Sequence, residues 1–217
     1  MSRIFASLSI GSILLMATAA VLGLSLHKNA LVEEVQTAQQ RIDGLENSPH
    51  AGAGQLNQAV QARDAALQQL RDQQSRASVH LLTGVAATLG IVLVASIAVT
   101  YFIGTGRWCR EVVETYALED ELLRESQALK GRSFPWALTA ILTAVAVSAL
   151  GARSDPATGL ANSGAWVTPH LAAALTGLVL VSICFFVLWL RLVDNQMLIQ
   201  RIMKRVHDER LARGLET

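Results

Sequence analysis

The stretch VHLLTGVAATLGIVLVASIAVTYFI, residues 79–103, decides the fold of this chain. It contains no Asp, Glu, Lys or Arg, and its apolar residues do not alternate with polar ones as they do in a half-buried strand. A helix needs about 20 apolar residues to cross the roughly 30 Å hydrocarbon layer of a bilayer. Because backbone groups cannot stay unpaired in lipid, this run predicts a transmembrane helix.

Three further runs without charged residues lie at about 4–26, 134–152 and 167–190. The chain is 52% hydrophobic and only 16% charged, whereas a soluble domain has about 25% charged residues. The sequence therefore predicts an all-α integral membrane protein with four transmembrane helices. The predicted segments are a first span at 1–27, a helical hairpin at 28–78, a second span at 79–103, an amphipathic helical loop at 104–133, a third span at 134–152, a short loop at 153–166, a fourth span at 167–190 and a basic helical tail at 191–217.

The distribution of Lys and Arg predicts the orientation. With four crossings, 12 of these residues lie on the side of the termini and 6 on the other side. Cytoplasmic segments carry the excess, so we expect both termini and the 104–133 loop to be cytoplasmic, in a multi-pass protein of the cell (inner) membrane. Tryptophan prefers the headgroup boundary, and all four tryptophans lie at predicted span ends. They are Trp108, Trp136, Trp166 and Trp189.

The first span has features of both a signal peptide and a membrane anchor. Arg3 precedes the apolar run, and Ala17 and Ala19 form the small-x-small pattern of a cleavage site. The run continues to Leu26, which is longer than a usual signal core. This length favours an uncleaved anchor.

Residues 28–78 have apolar positions spaced by three and four, a pattern typical of a coiled-coil seam. Pro and Gly at 47–54 interrupt it, which predicts an antiparallel hairpin whose arms continue straight out of the first and second spans. One hairpin buries little surface, so we expect the seam to bind another protomer or a membrane-protein partner; the alternative is a lone hairpin with a frayed tip. The candidate partner-binding residues are Leu31, Val35, Ile42, Leu56, Val60, Leu67 and Leu70.

The predicted cytoplasmic segments carry mixed charges. Gly104-Thr105-Gly106 predicts a helix stop after the second span, followed by an amphipathic helix that is solvated or lies among headgroups. The basic tail at 191–217 is either an ordinary solvated helix or a docking surface for anionic lipid or protein. Within the spans, small residues recur every four positions, as in Ala140/Ala144 and Ala173/Gly177, which predicts a tight bundle.

The chain lacks recognisable catalytic patterns. No charged residue lies in any of the four apolar runs, which argues against proton pumping and secondary transport. A pore lined by Ser and Thr is an alternative, but such hydroxyls more often bond to their own helix. Ser-His-Asp, paired-carboxylate, CxxC and HExxH arrangements are also missing. We therefore predict a protein that is not an enzyme. Cys109 and Cys184 are expected to be unpaired, and a net charge of +1 gives no basis for nucleic-acid binding.

Three histidines are the remaining candidates for a cofactor site. His27, His80 and His170 each lie at the outer end of a different span. If those ends pack together, two imidazoles could ligate a haem iron or another metal. Histidine is also tolerated at an interface without any ligand, so no cofactor is expected and haem is the alternative.

Three functional hypotheses follow. The first is a scaffold, assembly factor or accessory subunit that acts by contact through its hairpin, either as a homo-oligomer or with another membrane protein. The second is a sensor that passes a change in hairpin packing to the cytoplasmic loop. The third is a haem- or metal-binding redox subunit that uses the outer histidines.

Overall fold

The computed structural model describes residues 1–26, 28–48 and 52–214. Every regular element within these ranges is helical. The long helices are α1 (Ser2–Leu24), α2 (Lys28–Glu46), α3 (Ala53–Tyr116), α4 (Asp120–Ser154) and α5 (Val167–Ala212), and two short 3-10 helices, Pro156–Thr158 and Ser163–Trp166, connect α4 to α5.

Four of these helices, α1, α3, α4 and α5, are long and apolar enough to cross a membrane. Their large apolar side chains point outward to an extent that a water-soluble bundle would not tolerate: Leu82 is 68% exposed and Leu89 is 65% exposed. Contiguous apolar surface of this kind marks contact with lipid or with another protein. The prediction of an all-helical chain with four helices of spanning length is therefore confirmed.

Small residues allow these four helices to approach closely. Ala95 and Ala140 are fully buried, and a Cβ added at Gly177 of α5 would lie only 3.0 Å from a methyl group of Val147 in α4. Close backbone approach through small side chains is the usual way in which helices associate in lipid. The tight bundle predicted from the spacing of small residues is present.

The predicted helix stop at Gly104-Thr105-Gly106 is wrong. Helix α3 runs unbroken through all three residues to Tyr116, and its 64 residues correspond to a length of about 96 Å at ~1.5 Å per residue. Glycine inside a helix costs only about 1 kcal/mol, and the buried side chains of Cys109 and Val113 hold the extension against its neighbours. The helix ends instead at Tyr116, and the capping residue Ala117 adopts the left-handed conformation with φ 52°.

The segment at 104–133 is consequently two helices with a tight turn rather than a loop. Helix α4 starts at Asp120, well before its apolar stretch, and packs against both α3 and α5. Residues 104–133 together with 191–212 form a small helical bundle beyond the apolar segments, called the tail end below. Two ion pairs, Arg201 with Glu125 and Arg205 with Glu119, join α5 to α4 there, and Arg213 donates to the Tyr116 carbonyl oxygen at 3.2 Å.

At the opposite end of α3, helix α2 packs against residues 53–78, and these two segments are called the α2–α3 pair below. The Arg63 guanidinium donates to the side-chain oxygen of Gln39 across the pair at 3.4 Å. One predicted arm is continuous with its span, because α3 is unbroken. The other is not, because α1 ends at Leu24 and α2 begins at Lys28. Within the predicted break at 47–54, α2 has ended at Glu46 and α3 has begun at Ala53; residues 49–51 lie outside the described residues.

Candidate functional site

Two of the three predicted histidines lie side by side. The rings of His80 in α3 and His170 in α5 meet edge to face, with centroids 6.4 Å apart and planes at 74°. The third predicted histidine, His27, lies outside the described residues. The expectation that histidines from different spans lie at one depth is thus met by His80 and His170.

Each imidazole fits against a glycine of a neighbouring helix. The Nδ1 atom of His80 is 2.9 Å from the Ala19 carbonyl oxygen of α1, which requires Nδ1 to carry the proton and donate. A Cβ added at Gly23 would lie 2.9 Å from Cε1 of His80, and one added at Gly151 of α4 would lie 3.0 Å from Cε1 of His170. The nitrogen atoms of His80 therefore face α1, and those of His170 face α4.

This arrangement does not fit a haem or a metal ion shared by the two rings. Joint ligation needs a nitrogen of each imidazole directed at one point. Here both nitrogens of His80 lie within 3.6 Å of the position that a Cβ at Gly23 of α1 would take, and both nitrogens of His170 lie within 3.5 Å of the corresponding position at Gly151 of α4. In residues 1–26, 28–48 and 52–214, no group of three or more His, Cys, Asp or Glu residues could hold a metal ion. The two imidazole rings instead fill space between helices: His80 of α3 packs against α1, His170 of α5 packs against α4, and the rings contact each other. Gly23 and Gly151, which receive them, were not singled out as histidine partners by the sequence.

The predicted partner-binding stripe faces the interior of the α2–α3 pair but is covered only in part. Leu31 and Ile42 are buried, together with Ala59 and Ala66 of α3. The others are half-buried; they are Val35, Leu56, Val60, Leu67 and Leu70. Two helices can cover only one side of a seam, so a strip of apolar surface remains along the pair, interrupted by Arg63 and Gln74.

A buried polar contact, which sequence reasoning missed, lies in the tail end. Asn195 of α5 is 1% exposed, and its Nδ2 atom donates to the Thr105 hydroxyl oxygen of α3 at 3.1 Å. The Thr105 hydroxyl in turn donates to the Tyr101 carbonyl oxygen at 2.8 Å. The Oδ1 atom of Asn195 is buried without a hydrogen-bond partner. Asn195 follows the last apolar run, but it is spaced by three from Leu192 and from Leu198, both on the buried face of α5. This spacing is the signal that could have predicted its burial.

Both cysteines are free, as expected, and both are fully buried. Burial raises the pKa of the Cys109 thiol, and the nearby Ser126 hydroxyl offsets part of that effect. A buried thiol with a raised pKa reacts slowly because little thiolate is present and reagents cannot reach it. Cys109 is therefore protected by the fold itself.

Hydroxyl groups in the first apolar helix bond mainly to their own backbone. Ser7, Ser12 and Thr18 each donate to the carbonyl oxygen four residues earlier, at 3.1, 3.0 and 2.8 Å. This is the pattern expected of hydroxyls that satisfy themselves within a helix. These three side chains do not form a polar lining.

Comparison with protein-family models, with curated proteins and with solved structures finds no match to this chain.

The Asn195 contact generates a stability prediction. Asn195→Leu should raise the melting temperature, with a gain in unfolding free energy of about 1 kcal/mol, because it removes an unpartnered buried oxygen and leaves Thr105 bonded to Tyr101. Asn195→Asp should lower it by about 3 kcal/mol or more, because it places an unpaired charge in the same position. Thermal unfolding of the detergent-purified variants measures both, and a lower melting temperature for the leucine variant would contradict the argument.

Proposed function

We propose that this protein is a non-catalytic, multi-pass membrane protein that acts by contact, as a scaffold or accessory subunit, through its α2–α3 pair. The observation that carries the proposal is the half-covered apolar strip of the pair, formed by Val35, Leu56, Val60, Leu67 and Leu70. Half-covered apolar surface beyond the spanning segments is stabilised when another helical surface removes it from water.

Charge complementarity points to a second copy of the same chain as the occupant. Helix α2 carries four acidic residues and two basic ones, whereas residues 53–78 of α3 carry three Arg and two Asp. In an isologous dimer each patch meets its counterpart in both copies, so the acidic α2 of one protomer would face the basic α3 segment of the other. The resulting four-helix arrangement would cover both strips.

Site-specific photo-crosslinking tests this contact. A benzophenone amino acid at Val60 or Leu67, both half-buried on the strip, should give an adduct of twice the chain mass in intact cells. The same group at Gln61 or Gln68, the exposed neighbours, is the matched control and should give little of it.

Co-expression of two differently tagged copies identifies the adduct. An adduct that carries both tags supports the proposal. A reproducible adduct with one other membrane protein would exclude self-association at this surface, and equal yields at strip and control positions would indicate random collision.

The proposed orientation has both termini in the cytoplasm and the α2–α3 pair outside the cell membrane, supported by the 12-to-6 distribution of Lys and Arg. Native Cys109 is unsuitable as a reporter because it is buried. We therefore expect an impermeant maleimide to label Ser48→Cys in sealed cells, and to label Thr115→Cys only after the membrane is opened. Both positions are exposed. The reverse result would invert the orientation.

The unbroken α3 favours a second candidate function, that of a transducer. A single helix connects the α2–α3 pair with the tail end, so a change in the position of its outer part needs no hinge to reach Tyr116. Helix α1 offers no such connection, because it ends before α2 begins. A change in the packing of the α2–α3 pair would then reach the tail end along α3 alone.

Hydrogen exchange distinguishes the transducer from a passive scaffold. Ala66 is 1% exposed between α2 and α3, so Ala66→Leu should separate the helices at a cost of about 1–3 kcal/mol. A transducer should then show altered amide exchange in the tail end, at 104–133 and 191–212. Ala65→Leu, at the exposed neighbour, is the control. Changes confined to the α2–α3 pair would argue against transduction.

A further inference from the structure

A cleft of about 690 Å³ lies between α4 and α5 in the tail end, on the side where both helices leave their apolar stretches. Its charged lining comprises Arg132 and Glu125 from α4 and Arg191, Asp194, Arg201 and Lys204 from α5. The volume is within the range of about 300–1,000 Å³ typical of ligand sites. Four cationic side chains against two carboxylates leave an excess of two positive charges.

The carboxylates do not neutralise the whole cleft. Asp194 pairs with Arg191 at 3.6 Å, and Glu125 pairs with Arg201. Neither Arg132 nor Lys204 has an acidic partner within the described part of the chain. In addition, the Nε atom of Arg191 is buried without a hydrogen-bond partner. The cleft therefore holds two cationic side chains that no carboxylate of the described chain neutralises.

The position of the cleft identifies the chemistry of that acceptor. Arg132 precedes Phe134, where the third apolar stretch begins, and Arg191 follows Leu190, where the fourth ends. Trp136 and Trp189, close in sequence to these positions, have the side chain preferred at the headgroup boundary. If α4 and α5 cross the bilayer, the mouth of the cleft lies at the level of lipid phosphates. Guanidinium groups bind phosphate oxygens through paired, charge-assisted hydrogen bonds.

We propose that the α4–α5 cleft is a binding site for the phosphate headgroup of an anionic phospholipid. Arg132, at the boundary, supplies a charge that has no acidic partner, and Arg191 lies at the same boundary on α5. Lys204 follows Arg191 by 13 residues on α5, about 20 Å at ~1.5 Å per residue, so it adds to the attraction of the cleft without contacting the same phosphate. The two carboxylates orient Arg191 and Arg201 and reduce the net positive charge of the cleft. One anionic headgroup neutralises the remaining charge better than a zwitterionic headgroup, because the cation of the latter would be repelled by the arginines. The inference depends on α4 and α5 crossing the membrane, and not on the contact role of the α2–α3 pair.

Native mass spectrometry of the full chain in neutral detergent tests the proposal, with phosphatidylglycerol, phosphatidylcholine and free glycerol phosphate as probes. We expect selective retention of phosphatidylglycerol. The double variant Arg132→Gln with Lys204→Gln should weaken phosphatidylglycerol binding at least tenfold. The control, Arg110→Gln with Arg124→Gln, removes the same charge from exposed positions outside the cleft. It should change the binding less than threefold, because charge-assisted hydrogen bonds act locally.

The remaining outcomes overturn the proposal in distinguishable ways. Equal weakening in both double variants would indicate diffuse attraction to basic residues. Equal retention of phosphatidylcholine would exclude headgroup selectivity, and glycerol phosphate bound as tightly as the lipid would identify a soluble ligand. Because all four substituted side chains are exposed, a retained melting temperature shows that lost binding is not unfolding. If the cleft double variant melts early, Arg132→Gln alone must still weaken binding selectively, or the proposal fails. None of these results depends on crosslinking at Val60 or Leu67.

Discussion

The unbroken course of α3 is the constraint on which the rest of the structure depends. Every other long helix packs against it: α2 at one end, α1, α4 and α5 along its apolar length, and α4 and α5 again in the tail end. A helix of this length would not be stable alone in water, because helices depend on packing of an apolar face. Its neighbours stabilise it, and it in turn sets the separation between the α2–α3 pair and the tail end.

Packing along α3 is achieved differently in its three parts. In the apolar middle, small residues allow close approach, and His80 and His170 fill the space beside Gly23 and Gly151. In the α2–α3 pair, two alanines and two larger aliphatic side chains form a narrow seam. The tail end adds ion pairs and the buried Asn195 to an aliphatic core. A narrow seam has fewer buried contacts, so local opening should be easiest in the pair.

These differences connect the fold to the proposed roles. The apolar side chains of the α2–α3 pair are only partly buried, so contact with another helical surface would remove them from water. The tail end is more fully packed, and its basic side chains line a cleft whose shape depends on the fixed positions of α4 and α5. Contact with protein and contact with a lipid headgroup would therefore occur on opposite sides of the apolar segments. The exposed apolar faces between them are suited to the bilayer itself.

The sequence by itself determined the four apolar helices and the inward direction of Leu31 and Ile42, because run length, missing charge and helical spacing act within one segment. Only the tertiary structure decided that α3 continues through Gly104, that His80 meets His170, and that Asn195 contacts Thr105. Each of these depends on a neighbouring helix: packing of Cys109 and Val113 outweighs the weak helix propensity of glycine. A periodic pattern encodes which face of a helix avoids water, but not which helix covers that face.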